Sequence, residues 1–154
     1  MEAARIALPE NDLLVRVARN RYALALGQRY QMDKRRAFYL ALRDSCVTAF
    51  GKRHEETGRV LNELVEVEML RADYKQAAVF AQEVLRARRR TLRSDHPLVA
   101  DSINRLASAY YSMGQRAELA PLLKEALKIR SAAFGPEHPK TALSRKNLEL
   151  AIEK

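Results

Sequence analysis

The sequence predicts an all-α chain built from repeated pairs of antiparallel helices, and three observations carry that prediction. Ala, Leu, Arg, Glu and Lys, mostly strong helix formers, dominate a chain with only five glycines and five prolines, and strand signals are nearly absent. His54, His96 and His138 are the only histidines, and consecutive ones stand 42 residues apart. Other residues keep the same step without a gap: Pro97 falls on Pro139, Ala100 on Ala142, Ser102 on Ser144 and Leu106 on Leu148. A constant stride is the mark of a repeat architecture, in which each unit buries its apolar face against its neighbours.

One step back, "LNELVEV" (61–67) aligns with "INRLASA" (103–109), pairing Asn62 with Asn104 and Leu64 with Leu106. A further step reaches "RNRYALA" (19–25) and Asn20, while Phe50, Leu92 and Phe134 close successive units. The chain reads as a single domain over 1–154 of three and a half units: repeats over about 11–54, 55–96 and 97–138, then a closing helix at 139–152. Seven helices are predicted, near 11–29, 34–50, 56–71, 74–92, 97–112, 116–133 and 139–152.

The first unit is the least regular. "KRRAFYLALRDSCVTAF" keeps Phe50 and Gly51 in step with Phe134 and Gly135, but Arg35 and Arg36 stand where other copies carry Leu or Ala. A terminal unit is expected to depart in this way, because its outer face meets water. The helix at 74–92 follows the corner "ADY", with Asp73 as cap, and buries Ala77, Ala78, Ala81, Val84, Leu85 and Arg88. At 97–112 the start signal is "SDHP": proline sits in the first turn, where its missing N–H is harmless, and Ser94 or Asp95 caps the helix. Ile103, Leu106, Ala107 and Tyr110 then form one buried stripe. Gly114 ends that helix, and the next repeats the stripe with Leu119, Ala120, Leu123, Ala126, Leu127 and Arg130. In the last helix Arg145, Glu149 and Lys154 give the polar outer face of a cap, whereas Leu143, Leu150 and Ile152 would suit continuation into a partner or a longer chain; both readings stand.

Composition sets further bounds. The chain has 154 residues, Lys+Arg 28 against Asp+Glu 19, a net charge of +9 and 47% hydrophobic residues, enough for one core. No apolar run approaches the ~18 residues of a membrane-spanning helix. A lone cysteine, Cys46, cannot form a disulfide within the chain, so an intracellular, cytoplasmic protein is expected. The opening 22 residues have the Arg and Ala of a mitochondrial presequence, but Glu2, Glu10 and Asp12 oppose it, and mitochondria remain the alternative.

Catalytic and metal chemistry find little footing. Zinc needs its ligand nitrogens about 2 Å away. Equivalent histidines of stacked helix pairs should lie roughly 20 Å apart, so each is expected to close an inter-repeat turn and orient the next helix. Cys46, beside Val47 and Phe50 on an apolar helix, reads as a packed thiol. There is no Gly-rich phosphate loop, no HExxH pair and no GxSxG elbow, so no enzyme, metal or cofactor is expected.

"INRLASAYYSMGQRAELAPLLKEALKIRSAAFGPEHPKTA" (103–142) resembles the tetratricopeptide repeats of kinesin light chains, whose longer units also have a period of 42. That is eight residues beyond the usual 34, or ~12 Å of extra helix per pair. The likeness is strong over 57–151 and weaker over 11–56. It implies a right-handed superhelical solenoid whose first helices line a concave groove, and a protein or peptide as partner. The paired asparagines of that family appear here as Asn20-Arg21, Asn62-Glu63, Asn104-Arg105 and Lys146-Asn147, so its peptide specificity does not carry over.

On that frame Asp101, Asn104, Arg105, Ser108 and Tyr111 turn away from the buried stripe and towards the groove, with Asn20, Arg21, Asn62, Lys146 and Asn147 at equivalent places. Asparagine is a poor helix-interior residue, so its recurrence needs a cause. Either its amide binds an extended peptide backbone, or it bonds neighbouring helices within the stack. "RARRRTLR" (86–93) gathers Arg86, Arg88, Arg89, Arg90 and Arg93. It is either a solvated helix end that complements the dipole or a docking patch for an acidic protein, nucleic acid or an anionic membrane surface. Without interleaved aromatics, nucleic acid is a minor expectation. The predicted function is a noncatalytic adaptor or scaffold whose basic groove holds an extended acidic segment. A structural subunit of a cytoskeletal, ribosomal or respiratory assembly is the alternative.

Overall fold

A computed structural model describes residues 32–152, which form six α-helices. They are α1 (Met32–Phe50), α2 (Glu55–Leu70), α3 (Tyr74–Thr91), α4 (Pro97–Ser112), α5 (Leu119–Phe134) and α6 (Pro139–Ile152). The predicted helix at 11–29, and Asn20 and Arg21 with it, lies outside the described residues. Each helix packs on the next along the chain, giving a solenoid of helix pairs. None of the described helices is long and apolar enough to cross a membrane.

One core cluster runs from Tyr39 and Leu42 through Leu61, Leu64, Ala81 and Val84 to Ile103, Leu106 and Ala126, and a second, of Ala107, Leu119 and Leu123, packs against Leu148 and Ala151 of α6. Small residues at Ala77, Ala81, Ala100 and Ala126 let the helices approach closely, so the large neighbours Leu61, Leu64 and Ile103 are fully enclosed.

The 42-residue stride is visible in the turns. His54, His96 and His138 each accept, on Nδ1, the backbone N–H two residues on, from Glu56, Leu98 and Lys140 at 3.2, 3.1 and 3.1 Å. The histidine itself is therefore the side-chain cap of the following helix, in place of Ser94 or Asp95. Accepting on Nδ1 puts the ring proton on Nε2. Phe50 and Phe134 stack on His54 and His138 with ring centroids 4.8 and 4.6 Å apart, which explains why an apolar residue closes each unit. Asp73 caps α3 by accepting from Gln76 N–H.

Helix α5 starts at Leu119, three residues later than the pattern suggests. Pro121 decides this. A helix beginning at Arg116 would place Pro121 beyond the first turn, where a missing N–H breaks the ladder, whereas from Leu119 it falls among the free N–H positions. The corner before α3 holds Ala72 at φ 60, at the place Gly114 occupies at φ 72 one unit later.

Candidate functional site

The first helices of successive pairs, α2, α4 and α6, lie side by side, and the ion pair Arg105–Glu66 ties α4 to α2. Between α4 and α6 this layer opens a cavity of about 400 Å³. Its apolar lining comes from Met69, Ala107, Leu119, Leu123 and Ala151, and its polar lining includes Asn104, Ser108, Tyr111 and Asn147. Four sequence-predicted groove residues are thus brought together at one place. Tyr111 and Leu150 stand half exposed at this site, and the Arg116 guanidinium lies over the Tyr111 ring, 5.1 Å from its centroid. Lys146 is exposed beside Asn147.

A smaller cavity, of about 260 Å³, takes in Asn62 and Arg105 together with Leu42, Cys46, Val60 and Glu63. The buried Cys46 thiol forms part of this wall. Above it, the Tyr39 hydroxyl donates to Glu63 Oε2 at 3.1 Å, and burial followed by the nearby Glu63 carboxylate pushes this phenol up to about 12.

Asn104 Nδ2 donates to the Ala100 carbonyl of its own helix at 2.8 Å, and the Oδ1 atoms of Asn62 and Asn104 are buried without a hydrogen-bond partner. These two acceptors stand at equivalent places in successive units, and both residues line cavities.

Asp101 is held by Arg130, whose Nη2 donates to Asp101 Oδ1 at 2.8 Å. Arg130 is 7% exposed and its Nη1 also donates to the Lys140 carbonyl and Ser144 Oγ. Arg88, one unit earlier, makes the same contacts with the Leu98 carbonyl and Ser102 Oγ and pairs with Glu55 at 2.7 Å. Arg88 therefore does not belong with Arg86, Arg89, Arg90 and Arg93, which are exposed; it clamps three helices together. Cys46 occupies the corresponding place in the first unit, and there the serine partner is replaced by the buried Val60.

Charge is divided unequally between the two helix layers. Helices α2, α4 and α6 carry seven carboxylates against five cations, whereas α1, α3 and α5 carry twelve cations against four carboxylates. Within the first-helix layer the acids gather on α2 and the bases on α6, so the positive end of the groove is the end that holds the larger cavity.

Two consecutive segments, 57–98 and 99–140, match the model of the tetratricopeptide repeat. The chain belongs to the tetratricopeptide repeat family. The TPR fold is a non-enzymatic interaction scaffold, and solved structures agree on the architecture. The nearly identical TPR-like repeats of a Podosopora anserina kinesin light chain candidate superpose with a TM-score of 0.78 at 24% identity, covering 88% of this chain and 64% of that one. BtubC (BKLC) from P. vanneervenii superposes with a TM-score of 0.80 at 19% identity, covering 96% of this chain and 59% of that one. This TPR chain thus spans less than two thirds of either solved structure, and at such identities the likeness shows the fold alone. No curated protein sequence matches significantly.

Proposed function

We propose that this TPR chain is a noncatalytic adaptor that holds an extended segment of a partner protein along its first helices. One aromatic or large aliphatic side chain of that segment fills the cavity between α4 and α6, and acidic residues beside it meet Lys146 and Arg116. The observation that carries this reading is the convergence of Asn104, Ser108, Tyr111 and Asn147 on an apolar floor, in a cavity of about 400 Å³. An apolar pocket with a few convergent polar groups is the usual form of a recognition site, the apolar part supplying affinity and the polar groups orientation.

A displayed library of extended peptides, each with one aromatic residue flanked by Asp and Glu, tests it. Ser108 is exposed, so Ser108→Trp fills the cavity mouth without touching the core. The enriched peptides should bind the native chain and lose at least about tenfold in affinity for this variant, with melting temperature unchanged. Enrichment of peptides that bind Ser108→Trp equally well, or no enrichment at all, would refute the site.

A further inference from the structure

The second-helix layer carries the chain's positive charge on a built platform. Arg89 on α3 pairs with Glu125 on α5 at 2.7 Å and joins the two helices. Around that bridge stand Arg86 and Arg90 on α3 and Lys124 and Lys128 on α5, all exposed. Arg86 and Lys128 occupy the same place in successive units. Arg86 donates to Gln82 Oε1 at 3.2 Å, and Gln82 Nε2 in turn donates to the Tyr110 hydroxyl at 2.6 Å, so this guanidinium is steadied from the first-helix layer. Among the described residues Arg86, Arg90, Lys124 and Lys128 form no ion pair.

We infer that this face of α3 and α5 is a second docking surface, for an acidic segment of a polypeptide, independent of the groove. Four cations without ion-pair partners on two rigid helices attract carboxylates, and Arg86, already held by Gln82, loses less side-chain freedom than a free arginine on meeting one. The carboxylates interspersed among them choose between anionic partners. Glu83 is half-buried one turn from Arg86, Glu125 is paired with Arg89, and Asp95 with Arg93. A phosphate backbone, uniformly negative, meets repulsion at each of these. A polypeptide can set a backbone N–H or a neutral side chain opposite them and its acids opposite the arginines. The exposed large apolar side chains of these helices, Val79 and Phe134, stand about two turns from the cluster, which leaves nothing among the cations to enter a bilayer or to stack on bases.

The test uses the full chain and the variant Arg86→Gln/Arg90→Gln/Lys128→Gln, whose side chains make no ion pair, so its melting curve should match the native one. Fluorescent polyglutamate of about ten residues, at about 50 mM salt, should bind the native chain and Ser108→Trp alike and bind the triple variant about tenfold more weakly, three exposed charge pairs acting together. Equal binding to the triple variant, or no binding to the native chain, overturns the inference. So does tighter capture of an oligonucleotide with about as many phosphates, or of phosphatidylserine vesicles, if the same three substitutions abolish it. Because Ser108→Trp reads the groove and the triple variant reads this face, failure of one leaves the other standing.

Discussion

Replacing Arg88 by methionine keeps most of the buried aliphatic stem and deletes the guanidinium. That group is 5% exposed and donates to the Leu98 carbonyl at 3.1 Å, to Ser102 Oγ at 2.9 Å and to Glu55 Oε1 at 2.7 Å. Bonds from a charged donor are worth about 1.5–3 kcal/mol, but two features lower the loss here. Ser102 Oγ already donates to the Leu98 carbonyl at 3.1 Å, so these groups keep one another. The Glu55 side chain is 36% exposed, so water rehydrates it. About 1 kcal/mol for each of the three partners, Leu98, Ser102 and Glu55, roughly 3 kcal/mol in all, is the expected destabilisation, or a fall in melting temperature of roughly 6–12 °C for a chain of this size. Urea denaturation followed by circular dichroism measures it. Arg89→Met, which breaks only the exposed pair with Glu125, should cost under about 1 kcal/mol and serves as the comparison. A loss at Arg88 no larger than that at Arg89 would refute the view that the guanidinium clamps three helices.

The repeat alignment and the backbone together predict two stabilising substitutions. Ala72 sits at φ 60 where the next unit has Gly114, so Ala72→Gly should relieve about 1 kcal/mol of left-handed strain. Gly58 stands where Ala100 and Ala142 follow, its added Cβ would meet Val84 Cγ1 at an ordinary 3.8 Å, and Gly58→Ala should gain up to about 1 kcal/mol of helix propensity, read as a higher urea midpoint. His96→Ala removes the acceptor for Leu98 N–H and should cost about 1 kcal/mol, as losing other side-chain caps does. Tyr39, whose phenol is raised from 10.0 to about 12 by burial and then by Glu63, favours its neutral form in the folded chain. The stability it contributes is complete below pH 10.0 and is lost as pH rises through about 12, and phenolate absorbance should show a late-titrating component that is absent from Tyr39→Phe.

Much of the fold was legible because the repeat is exact in length. The stride of His54, His96 and His138 located the turns, and the proline after two of them located helix starts. What escaped was chemistry that depends on which atoms meet. Nothing in "SDHP" says that imidazole Nδ1, rather than Ser94 or Asp95, reaches the free N–H, because all three can accept. The late start of α5 is encoded in Pro121, whose missing N–H belongs in a first turn. Arg88 fitted both the buried stripe of its helix and the arginine cluster that follows; only packing against Ser102 decides for the first. The matched series Cys46 with Val60, Arg88 with Ser102 and Arg130 with Ser144 was present in the sequence, but its sense depends on knowing that a second helix meets the helix after it. Net charge said that the chain is basic and could not say on which layer, since that follows from the pairing of helices and not from composition.

The arginine clamps reach only the helices directly before and after them, from Arg88 to Ser102 and from Arg130 to Ser144, each fourteen positions downstream. Each fastening therefore joins one 42-residue block to the next: Arg88 of 55–96 takes Ser102 of 97–138, and Arg130 of 97–138 takes Ser144 of the closing helix. Duplication or loss of the block 97–138 keeps a serine fourteen positions beyond each arginine and leaves every remaining fastening complete, whereas a shorter insertion between them parts an arginine from its serine and strands a cation in the interior. Such a chain can change length in whole blocks during evolution, and resists change in any smaller step.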